Sequence, residues 1–235
     1  TLMLLGAGGL VTSQEAGLAV VDWPNSFGYN MFLYPLSRMP GGLFYEHAHR
    51  LLGSLVGLAT LVFTIHLHLC ESRRWVKVLA WLAFGLVLLQ GILGGLRVTG
   101  SFTLSQSAEV TRPSVVLAVI HGVLGQLFFG LILFLAAIST RLWRSSTPAL
   151  GAATAATDRQ LAPLLIAVVS FQLVLGALLR HLNMGVIWHL SFAMVVFILA
   201  VAVGARNWGL YRELPHLPGL GRALTILIGL QLLLG

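Results

Sequence analysis

The sequence predicts an all-α integral membrane protein, a polytopic helical bundle. Of its 235 residues, 57% are hydrophobic and only 9% are charged, whereas an ordinary soluble domain has about 25% charged residues. Its apolar runs approach or exceed the ~20 residues with which a helix crosses a hydrocarbon layer of ~30 Å. Short segments of alternating hydrophobicity, about ten residues long, are typical of membrane β-barrels, and the sequence has none.

We expect seven membrane helices, the first and last of them incomplete. Segments rich in Pro, Gly, Ser or charge separate the apolar runs and mark where each helix ends. The predicted helices cover residues 1–12, 46–70, 75–97, 115–140, 161–181, 184–206 and 222–235.

The sequence contains an internal repeat. "LLQGILGGLRV" at 88–98 is echoed by "FQLVLGALLRH" at 171–181 and by "GLQLLLG" at 229–235. Glutamine beside small residues is also ordinary helix-packing sequence, but His49 and His189 are 140 positions apart, and Gln90 and Gln231 are 141 apart. We therefore predict two pseudo-symmetric four-helix halves: residues 1–140, a cytoplasmic linker at 141–160, and an incomplete half at 161–235. Eight helices are expected, of which about seven are present.

The distribution of Lys and Arg residues between the helices indicates the membrane topology. The formal charge is +7, but the Lys and Arg residues are scattered between apolar helices, which excludes a nucleic-acid-binding patch. Nine of them fall in the breaks after helices two, four and six, against four in the breaks after helices one, three and five. The positive-inside rule then places the long 12–45 loop on the outer face. The single cysteine, Cys70, excludes an intramolecular disulfide.

Polar residues at the start of the second helix are the first candidate site. In "EHAHR", Glu46, His49 and Arg50 share one helical face, whereas His47 points away and is expected to matter little. A carboxylate facing lipid would cost ~2.5–3.5 kcal/mol or more, so Glu46 is predicted to look into the bundle. The alternative for Glu46 is a simple partner of the helix dipole.

His121 on the fourth helix is the second candidate. The fourth helix enters the membrane from the same face as the second, so His121 lies at a depth similar to that of His49. Gly122 and Gly125 follow it and leave room for a flat group beside the helix. Two imidazoles from facing helices are a common way to hold haem iron. The alternative is that each histidine is a hydrogen-bonded packing residue.

His189 is the position equivalent to His49 in the second half, and His181, at the end of the fifth helix, is a weaker ligand candidate. The other histidines are interpreted as interfacial or are left without a role: His66, His68 and His216.

Four motifs together resemble the haem A synthases of cytochrome oxidase assembly. They are "GGLVTSQEAGLAVVDWP" (8–24), "EHAHRLLG" (46–53), "LLQGILGGLRV" (88–98) and "HGVLGQ" (121–126). The second half is similar through "LGALLRH" and His189. Residues 12–45 contain no cysteine, so the chain resembles the cysteine-free branch of the family, which has no loop disulfide.

The resemblance implies an oxidoreductase that converts the C8 methyl group of haem O to the formyl group of haem A. It implies a substrate-haem site in the first half, with His49 and His121 as iron ligands, and a haem b cofactor in the second half, held by His189. The second haem b ligand would lie in an eighth helix that this chain lacks, so we expect either that the sequence is truncated or that the protein does not hold haem b as the family does. Glu46 would be the catalytic carboxylate.

Further expectations follow from the same resemblance. Arg50 and Arg97 are candidates to bind haem propionates, because guanidinium groups match carboxylates well. Haem O synthase, an electron-transfer partner and the lipid bilayer are the expected partners, with homo-oligomerisation left open. The membrane would be the bacterial cytoplasmic or the mitochondrial inner membrane.

Two alternatives to an enzyme remain open. The histidines could hold haem b in a membrane cytochrome that only transfers electrons, or the chain could handle haem during assembly without chemistry. The first explains His49, His121 and His189 but gives Glu46 no task.

Overall fold

The structure, a computed structural model, describes residues 1–100, 114–145, 153–214 and 216–234. Every regular element in these ranges is helical: α1 (Leu2–Ser13), α2 (Gly42–Cys70), α3 (Arg74–Val98), α4 (Val115–Ser139), α5 (Arg141–Ser145), α6 (Ala153–Leu182), α7 (Val186–Leu210), α8 (Leu217–Leu234) and two 3-10 turns (Met31–Leu33 and Leu36–Arg38). Six of them are long and apolar enough to cross a membrane: α2, α3, α4, α6, α7 and α8. The prediction of a polytopic helical membrane protein is confirmed.

The helix ends differ from the predicted ones in two informative places. Helix α2 begins four residues earlier than expected, after Gly41, whose φ of +57° is a conformation that glycine adopts at little cost. Helix α6 begins at Ala153, eight residues earlier than expected, because the stretch "ATAATDRQ" is rich in alanine, the strongest helix former. The short helix α5 was not predicted.

The chain divides into two compact units, Thr1–Ser146 and Thr147–Gly235. Unit 1 contains α1 to α5, and unit 2 contains α6 to α8. The division falls inside the segment 141–160 that the sequence marked as a linker. The tasks assigned to the two halves stay predictions.

The core of unit 1 lies where α2, α3 and α4 pack together. Its fully enclosed residues include Ala80 and Ala83 on α3 and Leu135 on α4. Small side chains on α3 let the neighbouring helices approach closely. The hydroxyl of Thr64 on α2 donates to the backbone carbonyl of Ala80 at 3.0 Å, which satisfies a buried polar group across the helix interface.

Glu71 ties together the turn between α2 and α3 and the region where α4 meets α5. Its side chain is 3% exposed and accepts hydrogen bonds from the guanidinium groups of Arg73 and Arg144 at 2.7 and 3.0 Å. Arg73 also donates to the carbonyl of Ile138 on α4 at 2.9 Å. The hydrogen bond from Arg73 lowers the pKa of the Glu71 carboxyl from 4.5 to about 2, since it favours the ionised form.

This depressed pKa makes stability depend on pH in a defined direction. A carboxyl whose pKa is lower in the folded state contributes its full stabilisation above its unfolded pKa and loses it as protons bind to the folded form. We expect the stabilisation by Glu71 to be complete above pH 4.5 and to disappear as the pH falls towards about 2.

The measurement is thermal unfolding in detergent micelles across this pH range, comparing wild type with Glu71→Gln. The variant should melt at a lower temperature at neutral pH, and the gap should close in acid. Glu15→Gln, which alters an exposed carboxylate of the same unit, is the control and should follow wild type. A gap that stays constant with pH would contradict the assignment.

Candidate functional site

A connecting loop, residues 14–41, covers the end of unit 1 at which α2 and α4 begin. The indole ring of Trp23 packs directly on Gly95 of α3, so closely that a Cβ atom at position 95 would overlap the ring. The start of α2 is also close to the loop: a Cβ at Gly42 would lie 3.2 Å from the Cβ of Ala16. Glycine at these two positions therefore lets the loop lie flat on the helix ends.

Glu46 and Arg50 hold this loop in place. One carboxylate oxygen of Glu46 accepts from Arg50 at 2.7 Å, and the other accepts the backbone N–H of Val20 at 3.0 Å. Arg50 in turn donates to the carbonyl oxygens of Val20, Asp22 and Asn25 at 2.7, 2.7 and 3.1 Å. The side chains of Glu46 and Arg50 are only 5% and 9% exposed. The two residues share an inward face, as predicted. The terminal nitrogens of Arg50 donate to loop carbonyl groups as well as to Glu46.

His47 was expected to matter little, and this expectation is wrong. The residue is 1% exposed, its Nδ1 lies 3.2 Å from the hydroxyl of Ser26, and its ring packs against Tyr34 with centroids 5.4 Å apart. The expectation failed because it considered lipid as the only surroundings on that side of α2, whereas the connecting loop covers it.

The imidazoles of His49 and His121 meet inside unit 1. Their ring centroids are 6.5 Å apart with an interplanar angle of 76°. Helix α4 begins at a defined point because the hydroxyl of Ser114 caps it, accepting the N–H of Leu117 at 3.2 Å, and this fixes the depth of His121. The predicted meeting of the two histidines is confirmed, and their role as iron ligands stays a prediction.

The separation of these rings fits a shared metal ion. Two imidazoles that bind one ion from opposite sides, through nitrogen bonds of about 2.0–2.1 Å, have centroids about 6.4 Å apart. In both His49 and His121 the Nδ1 atom is buried and has no hydrogen-bond partner. Among the described residues, no group of three or more His, Cys, Asp or Glu side chains could hold a bare metal ion. Two imidazoles on neighbouring helices are our candidates for the two axial ligands of a haem iron, which brings its own equatorial ligands.

The rings of His49, His121 and His189 each lie against a glycine of the preceding helix, which we call the glycine seat of that histidine. A Cβ atom at Gly8 of α1 would lie 3.0 Å from Cε1 of His49, and one at Gly94 of α3 would lie 3.5 Å from Cε1 of His121. In unit 2, a Cβ at Gly176 of α6 would lie 3.1 Å from Cε1 of His189. The rings of His49 and His189 thus lie where an added Cβ would be too close, whereas the ring of His121 is in ordinary van der Waals distance of such an atom.

The room that Gly122 and Gly125 were expected to leave beside His121 is present at Gly122, and its use by a flat ligand stays a prediction. A Cβ at Gly122 would meet nothing within 4 Å, and one at Gly125 would come within 3.6 Å of the side-chain oxygen of Gln90. The sequence prediction considered glycines on the histidine's own helix, whereas the glycines that contact the rings lie on the preceding helix. The signal was present in the repeated stretches at 88–98 and 171–181, which contain Gly94 and Gly176.

Unused hydrogen-bonding groups collect on one face of α3, where Gln90, Gly94 and Arg97 follow each other at helical spacing. The Nε2 atom of Gln90 and the Nε atom of Arg97 are buried without a partner. The guanidinium of Arg97 lies against Gly17, whose Cβ would be 3.2 Å from its Nη1. Buried polar groups are nearly always paired, so these atoms are candidates for pairing with a bound ligand.

His189 has a different environment in unit 2. It is half-buried near the start of α7, and the side-chain nitrogen of Gln172 on α6 lies 3.1 Å from its Nδ1 and 3.0 Å from its backbone carbonyl oxygen. The weaker candidate His181 lies in the last turn of α6. Of the residues interpreted as interfacial, His66 and His68 are exposed on α2.

A glycine seat can be tested by adding one methyl group. Gly8→Ala should displace the ring of His49, because the new Cβ would lie 3.0 Å from Cε1, closer than van der Waals contact. Gly9→Ala is the matched control on the same helix, since its Cβ would meet nothing within 4 Å, and alanine favours a helix by about 1 kcal/mol over glycine.

The measurement is the ring ¹⁵N spectrum of protein labelled at histidine. Gly8→Ala should shift the His49 signals, and Gly9→Ala should leave them in place while keeping or raising the melting temperature. Identical His49 signals in the two variants would contradict the seat.

Comparison with known proteins supports the same interpretation as the site. No curated protein and no solved structure matches the chain significantly. A family model described as cytochrome oxidase assembly protein matches residues 1–189. The match includes every residue to which the sequence assigned a role, from Glu46 to His189. The chain therefore belongs to this family of cytochrome oxidase assembly proteins, the haem A synthase family that its motifs resemble.

Proposed function

We propose that this protein is an oxidoreductase that oxidises the C8 methyl group of haem O to the formyl group of haem A. The observation that carries the proposal is the pair of His49 and His121, 6.5 Å apart with both Nδ1 atoms buried and unpartnered, three residues along α2 from a buried carboxylate. A haem-sized substrate bound by these imidazoles would bring its edge into the same enclosed space.

The reaction requires water and an electron acceptor. Conversion of a methyl to a formyl group with oxygen from water is R–CH₃ + H₂O → R–CHO + 4 H⁺ + 4 e⁻. A haem b cofactor held by His189 would supply one-electron redox chemistry when bound. The residues of unit 1 would bind the substrate, exclude bulk water beneath the connecting loop and receive protons.

Glu46 would act on the substrate's edge. Removal of electrons from the methyl group builds positive charge at that carbon, and a fixed carboxylate in a poorly solvated site stabilises such charge strongly. It can also accept a proton from the carbon or from the attacking water. Its ion pair with Arg50 and its bond from Val20 hold it in position before the substrate arrives.

The two arginines would have different tasks. Arg50 donates to three loop carbonyls as well as to Glu46, so we assign it to holding the connecting loop. Arg97 has a buried Nε without a partner and is our candidate to bind a propionate of the substrate. A guanidinium that is already desolvated recovers a charge-assisted hydrogen bond when a carboxylate binds.

Replacement of Glu46 by Gln tests the need for its negative charge. Glu46→Gln keeps an oxygen that can accept the N–H of Val20 but removes the negative charge. We expect haem to remain bound while haem A formation falls by about 100-fold or more. The assay is chromatography of extracted haems after turnover.

Ser26→Ala is the control, because it removes the contact between the loop and His47 and leaves Glu46 unchanged. It should retain most of the activity. Wild-type haem A formation by Glu46→Gln would show that the carboxylate anchors the loop and takes no part in the reaction.

Removal of a histidine tests the binding site itself. His121→Ala should lower the content of haem O and haem A in purified protein by about 10-fold or more and leave haem b in unit 2. His66→Ala, which alters an exposed histidine of α2, should leave all haem contents unchanged. Wild-type protein that contains haem b and neither haem O nor haem A would favour the electron-carrying cytochrome over the enzyme.

A further inference from the structure

The connecting loop presents apolar side chains to its surroundings at its 3-10 turn, Met31–Leu33. Phe32 and Leu33 are 65% and 77% exposed. Between residues 23 and 45 the sequence contains a single charged residue, Arg38. An exposed apolar surface of this kind usually marks a place where a protein meets another protein or a membrane.

The backbone around these side chains is held by hydrogen bonds. The segment before the 3-10 turn is a β-turn, residues 26–29, whose two ends exchange backbone hydrogen bonds of 3.0 and 3.1 Å. The carboxylate of Asp22 accepts two N–H groups of this β-turn at 2.7 and 2.8 Å. The side chain of Asn30 accepts the N–H of Phe32 at 2.9 Å. Because the backbone is fixed in this way, the segment keeps its apolar side chains pointing outward.

The 3-10 turn lies on the side of α2 opposite to the histidine pair. It packs beside His47, whose ring contacts Tyr34 with centroids 5.4 Å apart and lies next to the backbone of Met31. His47 and His49 are two residues apart, which is about 200° around a helix, and His49 is the residue that meets His121. The exposed side chains of the turn therefore face away from the enclosed site of unit 1.

The length of α2 places the 3-10 turn at the boundary of the bilayer. The helix has 29 residues and is about 43 Å long at 1.5 Å per residue, whereas the hydrocarbon layer is ~30 Å thick. If the excess is divided equally, about 6.5 Å of helix projects at each end. His47 comes five residues after Gly42, the first residue of α2, which is about 7.5 Å along the axis. The turn beside His47 is thus level with the start of the hydrocarbon layer.

We propose that the 3-10 turn Met31–Leu33 is a membrane anchor, with the side chains of Phe32 and Leu33 inserted among the lipids of the leaflet in which α2 begins. Aromatic and aliphatic side chains are favoured at this depth, where a polar backbone can stay near the headgroups while the side chains reach the acyl chains. Lipid fits this surface better than a protein partner does, because two side chains on a three-residue turn cover far less than the ~800 Å² per partner of a specific protein interface.

The anchor gives the connecting loop an attachment in addition to Arg50. Arg50 binds carbonyl groups of residues 20–25, whereas the 3-10 turn holds the part of the loop that follows the β-turn. Lipid on one side and His47 on the other fix this part of the loop between them. The attachment requires neither haem nor a reaction at the site, so it stands apart from the proposed function.

The depth of Leu33 can be measured with a spin label. Cys70 is the single cysteine of the sequence, so Cys70→Ser combined with Leu33→Cys leaves one labelling position. The full chain is placed in vesicles of phosphatidylethanolamine and phosphatidylglycerol, and the accessibility of the nitroxide to oxygen, which concentrates in lipid, is compared with its accessibility to a water-soluble nickel complex. The ratio of oxygen to nickel accessibility should be several-fold higher at position 33 than for Asn25→Cys, the matched control at an exposed position of the same loop.

The other outcomes of this measurement would overturn the proposal. A ratio at position 33 as low as that at position 25 would show that the turn lies in water. A label at position 33 that neither reagent reaches would show that a second copy of the chain or another protein covers the turn. Phe32→Cys in the same background is a second position and should give the same preference for oxygen as Leu33→Cys.

A second measurement uses no label. In the same vesicles, Phe32→Ser combined with Leu33→Ser should speed hydrogen exchange at the bonded amides of the β-turn by about 10-fold or more, because the loss of two inserted apolar side chains favours local opening. Both side chains are exposed, so the melting temperature of the double variant should stay close to that of wild type. Val21→Ser, which alters another apolar residue of the loop that is 64% exposed, is the control and should exchange as wild type does. Equal exchange in wild type and the double variant would overturn the anchor.

Discussion

The buried ion pair between Glu46 and Arg50 is the interaction on which the rest of the site depends. Arg50 donates hydrogen bonds to three backbone carbonyl groups of the connecting loop. Without Arg50 these carbonyls would lack this partner next to an apolar helix end. The path of the loop brings Trp23 onto Gly95. The carboxylate of Glu46, to which we assign the chemistry, therefore also anchors the loop. The ion pair with Arg50 both fixes the position of this carboxylate and holds the loop that encloses the site.

Helix packing determines where the histidines lie. In membranes, small residues let helices approach closely, and here Gly8, Gly94 and Gly176 use that closeness to admit an imidazole edge. The rings of His49 and His121 lie 6.5 Å apart, each against a glycine of the preceding helix. A site built in this way tolerates little change of volume, since a buried methyl group has no space to enter.

Local patterns in the sequence predicted the features that depend on local physics. Hydropathy predicted the spans, and helical spacing predicted that Glu46 and Arg50 share a face. The burial of His47 and the seating of Trp23 on Gly95 depend on the path of a loop that has no periodic pattern. The glycine seats were missed for another reason: a glycine that admits a backbone and one that admits a ring look the same in sequence, and only the neighbouring helix distinguishes them.

The two units differ in how far their polar groups are satisfied before any ligand binds. In unit 1 the unpartnered atoms belong to His49, His121, Gln90 and Arg97, and each unpaired buried group destabilises the empty state by about 1–3 kcal/mol. A ligand that pairs them recovers this free energy, which favours binding without demanding many new contacts. In unit 2 the side-chain nitrogen of Gln172 already contacts His189, and the unpartnered buried atom among the described residues there is the Oε1 of Gln172.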